Sequence, residues 1–214
     1  IQCVACRPYE LWGGAKFCRF ALFPLMLFML LLVPTRMVAQ KAASSSKYIA
    51  TYESSTQTLT FKEFVGETLP SNSVVVKDRM TVAAINNKLG NGTLVHIVFD
   101  KSFSTYTPTS LFQFFFGLEN LEKITGLEYL NTEKVTDMCN MFAGCSSLIS
   151  LDVTHFNTAN VTDMSRMFSG CSSLTSLDVT HFNTANVTDM SSMFSNCSSL
   201  TSLDVTHFNT AKVT

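Results

Sequence analysis

The sequence predicts an α/β chain: a leucine-rich-repeat solenoid with one short strand and one short helix per 26-residue repeat, preceded by a small β-rich leader. Three observations predict it. Residues 160–185 read NVTDMSRMFSGCSSLTSLDVTHFNTA and residues 186–211 read NVTDMSSMFSNCSSLTSLDVTHFNTA, differing at two positions, and residues 134–159 carry an earlier copy, KVTDMCNMFAGCSSLISLDVTHFNTA. Each copy places apolar residues at helical spacing and then a Leu-x-x-Leu-x-Val run at strand spacing. Ahead of the copies lie short strand-like pieces. A period between roughly 20 and 50 residues marks units that cannot bury an apolar face alone and are stabilised by stacking on neighbours.

Residues 1–40 form the first element. Residues 20–33 (FALFPLMLFMLLLV) are almost wholly apolar, preceded by Arg7, Lys16 and Arg19 and followed by Pro34 and small residues near Ala39. This is the three-part layout of a secretory signal peptide. The run is shorter than the roughly 18 to 20 residues of a membrane-spanning helix and is broken by Pro24. Cleavage after Ala39 or Gln40 is therefore expected, with an uncleaved anchor as the alternative. No cysteine stands between Cys18 and Cys139, which argues against lipid attachment at a new N-terminus. Cys3 and Cys6 form a C-x-x-C with no second pair or histidine cluster nearby and are read as part of the removed segment. The start at Ile1 is read as a fragment or miscalled start. Without residues 1–40 the chain has 11 basic and 15 acidic residues, a net charge of −4. No basic stripe remains, so nucleic acid is excluded as a partner held by phosphate neutralisation.

Residues 41–92 are expected to form the β-rich leader, with strand-like pieces at 48–52, 58–61 and 73–76. Residues 93–133 follow as an N-terminal cap and first irregular repeat. There Phe114, Phe115 and Gly117 stand where later units have Met, Phe and Gly, and Leu118 replaces a cysteine. Residues 134–214 are the repeats, and the chain is expected to be truncated inside a fourth unit after Lys212-Val213-Thr214.

One unit can be read from its residues. Thr162 is expected to cap a short helix and Asp163 to favour its dipole, while Met164, Met167 and Phe168 share its buried face. Gly170, with Gly144 and Asn196 at the equivalent positions, is expected to end that helix in a left-handed cap. Leu177 and Val179 should point inward from a strand, with Ser176, Asp178 and Thr180 outward. The interior candidates are Val161, Met164, Met167, Phe168, Cys171, Leu174, Leu177, Val179 and Phe182. Asn183 lies one residue beyond the position at which leucine-rich repeats commonly carry an asparagine ladder.

With HIVFDKSFSTYTPTS (96–110) and FFFGLENLEKITGLEYLNTEKVTDM (114–138) leading into these copies, the sequence resembles the BspA-like leucine-rich-repeat surface protein family. The resemblance covers about residues 93–214, with 48–61 (YIATYESSTQTLTF) a matching hairpin. It implies a cell-surface or secreted protein engaged in adhesion. The implied partners are extracellular matrix, plasma or surface-receptor proteins, and the membrane is met only through a signal or anchor segment. The resemblance transfers no adhesive residues.

The outward positions form three columns: Ser150, Ser176 and Ser202; Asp152, Asp178 and Asp204; Thr154, Thr180 and Thr206. They are the candidate binding face. At strand spacing the aspartates stand within mutual repulsion range unless a cation or basic partner crosses them; the plainer reading is a solvated face copied by duplication. His155, His181 and His207 recur in D-V-T-H, but residues i and i+3 of a strand point to opposite faces, so no metal is expected. Cys145, Cys171 and Cys197 are read as small buried hydrophobes, with bridging between units as the alternative, and Cys139 as the most reactive thiol. Asn91, Asn160, Asn186 and Asn196 each begin an N-glycosylation pattern. His96 is the one histidine outside the repeats that describe a unit, and it has no motif around it. No catalytic constellation and no cofactor are expected, so an enzyme is not. A structural surface coat without a specific ligand is the alternative to adhesion.

Overall fold

In residues 58–61 apolar side chains alternate with polar ones, and on the other side of a polar turn residues 47–53 carry Tyr48, Ile49, Ala50 and Tyr52, the composition of a half-buried hairpin. The structure, a computed structural model that describes residues 47–89 and 93–214, forms it there. The expected signal or anchor at 1–40, its cysteines and Asn91 lie outside the described residues. Strand β1 (Lys47–Glu53) pairs antiparallel with β2 (Thr58–Phe64), from Lys47 opposite Phe64 to Glu53 opposite Thr58. Ile49, Ala50, Leu59 and Phe61 are fully buried. Strand β3 (Ser73–Val75) adds antiparallel to the other edge of β1. Helix α1 (Val82–Lys88), whose first turn is capped by the Thr81 hydroxyl accepting from Ala84 N, precedes β4 (His96–Phe99). Strand β4 lies parallel to β2, and β5 (Lys123–Thr125) parallel to β4. The result is one mixed five-stranded sheet in the order β3-β1-β2-β4-β5.

This architecture corrects the predicted fold class. The molecule is not a leucine-rich-repeat solenoid with one strand and one helix per repeat. Regular sheet is confined, among the described residues, to the five strands between Lys47 and Thr125, and helix to α1 with two short 3₁₀ segments, Lys101–Thr105 and Leu127–Tyr129. The 26-residue units contain tandem turns instead.

The physical reason is where the N–H groups go. An α-helix sends each to the carbonyl four residues back. Between Met138 and Cys145 the chain alternates between two other acceptors. Met138, Asn140, Phe142 and Gly144 donate outward, to the carbonyls of Asp163, Ser165, Met167 and Ser169 in the next unit, at 2.8–2.9 Å. Met141, Ala143 and Cys145 donate to the residue three earlier, closing successive turns, and Cys139 N donates to Asp137 Oδ1. The following unit repeats the scheme from Met164 to Cys171. Turns spaced two residues apart require left-handed residues at intervals. These are Gly144, Gly170 and Asn196, at φ 80°, 76° and 59°, together with Asn140, Arg166 and Ser192, at φ 54–56°. The glycine and asparagine positions read from the sequence are left-handed, but they close tandem turns rather than a helix. Thr162 caps no helix either: its hydroxyl donates to Thr136 O, and Asp163 takes the Ser165 N–H.

The nine interior candidates of residues 160–185 are all buried. Their core is continuous with that of the sheet. Phe61 stacks on Phe99 at 4.8 Å, Phe99 meets Phe115 edge-on, and Phe115, Phe142, Phe168 and Phe194 then stack in a column at 4.9, 5.6 and 5.7 Å.

Candidate functional site

The chain beyond each left-handed glycine or asparagine runs through Leu148, Leu174 or Leu200 into the D-V-T-H segment. The expected sheet of aligned strands is reduced there to a single parallel bridge, Ser150 with Ser176. The three segments nevertheless lie side by side. They enclose an open concavity of about 540 Å³, lined by Asp152, Thr154, Ser176, Asp178, Thr180, Ser202 and Asp204 over a floor of Leu151, Val153, Leu177, Val179 and Leu203. Ser150 and Thr206 stand outside the lining, and both are exposed. Seven of the nine candidate face residues are thus brought to one hollow.

Each aspartate is held by its own turn. Asp152 Oδ1 accepts from the Thr154 hydroxyl at 2.6 Å and from Thr154 N at 3.0 Å. Asp178 does the same with Thr180, and Asp204 with Thr206. These bonds to the ionised carboxylate lower all three pKa values, the threonine hydroxyl first and its N–H second. For Asp152 and Asp178 the neighbouring aspartate works in the opposite direction and is the smallest cause. Local hydrogen bonding therefore outweighs repulsion along the column, and the concavity carries three carboxylates ionised at neutral pH.

The histidines are exposed, and the chain turns at Thr154-His155 and Thr180-His181. This turn brings together residues that a continued strand would separate. Thr154 Oγ1 lies 3.3 Å from His155 Nδ1, and Thr180 Oγ1 3.0 Å from His181 Nδ1. Because each threonine hydrogen points to the aspartate, the contact is satisfied when Nδ1–H donates to the threonine oxygen, an assignment that leaves Nε2 as an acceptor. Among the described residues no group of three or more His, Cys, Asp or Glu side chains is placed to hold a metal ion.

Cys145, Cys171 and Cys197 are free, and their Sγ atoms donate to Phe115 O, Phe142 O and Phe168 O in the preceding unit, at 3.1–3.2 Å. Burial raises all three thiol pKa values, that of Cys171 to about 12, so they are held as neutral thiols. Cys139 is half-buried, with its Sγ accepting from Asn140 Nδ2 and Ser165 Oγ. It stands on a turn, not on the polar side of a helix. Asn160, Asn186 and Asn196 are exposed, and the amides of the first two donate to Glu133 O and Ala159 O. His96 is half-buried in β4.

Sequence reasoning missed one set of residues. Thr132, Thr158 and Thr184 are at most 3% exposed. Thr158 Oγ1 accepts from Asn183 N at 2.8 Å and donates to Asn183 O; Thr184 binds Asn209 in the same way, and Thr132 Oγ1 accepts from Asn157 N. A threonine hydroxyl thus does between units what an asparagine ladder was considered for. Asn157 and Asn183 instead accept locally from Ala159 N and Ala185 N. The signal was available: the F-N-T-A of every copy repeats the threonine as faithfully as the asparagine.

No curated protein and no solved structure matches the chain. Residues 109–214, which begin at the threonine whose carbonyl opens the first inter-unit pairing, are similar to a family described as "Mycoplasma protein of unknown function, DUF285".

Proposed function

We propose that the chain is a protein-binding or adhesion module of an exported, cell-surface protein, and that it meets its ligands on the D-V-T face. The observation that carries this reading is the concavity itself. Three near-identical segments lie side by side and line it with all three aspartates, with Thr154 and Thr180 and with Ser176 and Ser202, over an apolar floor open to solvent. Repetition of one chemistry at a regular interval suits an extended protein surface better than a single small substrate. The lowered carboxylate pKa values supply a fixed negative stripe for basic groups on extracellular matrix, plasma or receptor proteins. The resemblance to BspA-like surface proteins and the similarity of residues 109–214 to the Mycoplasma family support placement at a cell surface.

A structural coat without a specific ligand is the second reading. It draws on the fact that each aspartate already has a structural partner in its own threonine. Saturation binding to immobilised matrix and plasma proteins separates the two, with Asp152, Asp178 and Asp204 all replaced by Asn in parallel. Asparagine oxygen still accepts from the threonine N–H, so the turn survives while the charge is lost. Saturable binding that weakens at least about tenfold in the variant supports the adhesive face. Binding that is absent across the panel favours the coat, and binding unchanged in the variant removes this face from the reading.

A further inference from the structure

Where the sheet region meets the first stacked unit, the chain carries side chains that the later units do not copy. Gly126, at φ 73°, brings the backbone so close to β4 that a Cβ there would collide with Phe99 O, and the 3₁₀ turn Leu127–Tyr129 follows. Leu127 and Leu130 anchor this turn in the core, while Glu128 is exposed and Tyr129 half-buried. Thr132 and Thr158 hold the same place in successive units, each accepting through Oγ1 from an asparagine N–H of the next, Asn157 or Asn183. In that register Glu128, Tyr129, Asn131 and Glu133 precede Thr154, His155, Asn157 and Ala159, and the unit after has Thr180, His181, Asn183 and Ala185. The asparagine column is therefore copied along the stack, whereas the phenol and both carboxylates occur only at its first step.

A hollow of about 210 Å³ lies at that step, and its lining includes Glu128, Tyr129, Asn131, Glu133, His155 and Asn157. It shares no lining residue with the D-V-T concavity. Its two walls are tied together: Thr132 Oγ1 accepts from Asn157 N at 2.7 Å, and Asn160 Nδ2 donates to Glu133 O at 2.8 Å. The amide oxygens are used locally, Asn131 Oδ1 by Glu133 N at 2.9 Å and Asn157 Oδ1 by Ala159 N at 3.1 Å. The Nδ2 groups of Asn131 and Asn157, the Tyr129 hydroxyl and the carboxylates of Glu128 and Glu133 meet no partner among the described residues. With His155 Nδ1 bonded to Thr154, its Nε2 is left as a further acceptor. The hollow thus offers both donors and acceptors around one aromatic ring, on a frame fixed by bonds that use none of them.

We propose that this hollow is a binding site for one neutral pyranose residue of a carbohydrate. A hydroxylated ring answers all of these groups, because each sugar hydroxyl both donates and accepts. A guanidinium or ammonium suits the two carboxylates but has no lone pair to offer the amide Nδ2 groups. An anion suits the amides and is repelled by Glu128 and Glu133. Tyr129 supplies a flat apolar surface for the C–H face of the sugar, with a hydroxyl at its edge for a polar contact. A volume of about 210 Å³ lies below the roughly 300–1,000 Å³ of pockets for drug-sized ligands and suits a single ring.

The test is titration of the full, isotope-labelled chain with glucose, galactose, mannose, N-acetylglucosamine and fucose in turn, read by NMR at the side-chain amide signals of Asn131 and Asn157. The expected result is saturable displacement of both signals by at least one sugar, with a Kd on the order of 1 mM, weakened about tenfold or more in Glu133→Ala. Alanine already stands at the matching positions 159 and 185, so this variant leaves the fold intact. Tyr129→Ala should weaken binding likewise, while Asp178→Asn in the D-V-T concavity should leave it unchanged. About tenfold tighter binding of a disaccharide ending in the same sugar would assign the site to a glycan chain, and no gain would assign it to the free sugar. No saturable displacement by any sugar, displacement by arginine amide in place of the sugars, or sugar binding unchanged in Glu133→Ala would each overturn the proposal.

Discussion

The sheet between Lys47 and Thr125 and the stacked units between 134 and 211 close their backbone hydrogen bonds in different ways. In the sheet, β1 and β2 pair along their whole length through one seven-residue register. In the turn ribbons of the units, residues 138–145 and 164–171, every second N–H leaves for the next unit, while most of the others close turns and those of Cys139 and Ser165 go to an aspartate side chain. The sheet accordingly needs an uninterrupted extended backbone, whereas the units need left-handed residues at fixed points, such as Arg166 and Gly170. The difference teaches that turn ribbons satisfy the backbone as fully as regular elements when an identical neighbour offers carbonyls in register. One consequence is that the units depend on one another more than the strands do.

The largest expected effect tests whether the two regions nonetheless share a core. Phe61 in the sheet and Phe168 in the units are both fully buried and belong to one continuous apolar cluster. Phe61→Ala and Phe168→Ala are each expected to cost about 3–5 kcal/mol, as large-to-small core substitutions do. Urea unfolding followed by tryptophan-independent circular dichroism should show one transition displaced to lower midpoint in both variants. Two separated transitions, only one of them moved by Phe168→Ala, would divide the molecule between sheet and units.

How the two regions could be read in the sequence differs for a physical reason. Strand alternation is a period of two, and few other structures bury 59, 61, 97 and 99 while leaving their neighbours less buried; the strand-like pieces at 48–52, 58–61 and 73–76 lie where β1, β2 and β3 are found. The spacing of Met164, Met167 and Phe168 fits a helix, but it fits tandem turns equally well, since both return the chain to one face after three or four residues. The burial of those residues was therefore legible and their secondary structure was not. The candidate face shows the same division. Its residues could be chosen from outward positions, but the turn that joins Asp152, Thr154 and His155 depends on hydrogen bonds that no periodicity reports.

A smaller effect sharpens the contrast at the level of one hydroxyl. Thr158 Oγ1 is buried and serves both the N–H and the carbonyl of Asn183, so Thr158→Val strands two polar groups inside the stack. The expected loss is about 1–3 kcal/mol in unfolding free energy. Thr60 in β2 is half-buried with no side-chain hydrogen bond in the sheet, and Thr60→Val should be close to neutral. If both substitutions cost the same in urea titrations, the threonine pairing between units contributes nothing of its own.

The smallest effect concerns a device common to both regions. Asp100 accepts from Ser102 N and Oγ after β4 as Asp152 does from Thr154, and the pKa of each is lowered chiefly by the hydroxyl. A carboxylate whose pKa is lower in the folded than in the unfolded chain stabilises the fold above about pH 4, and that contribution is lost as pH falls through the folded value. Acid should therefore weaken both regions below about pH 4 and leave them level above it. Only the units add a neighbour: Asp178 raises the pKa of Asp152, while no aspartate is among the causes acting on Asp100. Carboxyl-carbon titration by NMR is expected to place the Asp152 midpoint lower still in Asp178→Asn, with the Asp100 midpoint unmoved. The displacement should shrink in high salt, because both carboxylates are exposed and their coupling is screened. An Asp152 midpoint indifferent to Asp178→Asn would mean that the carboxylates of the column act as three separate turns rather than as one charged stripe.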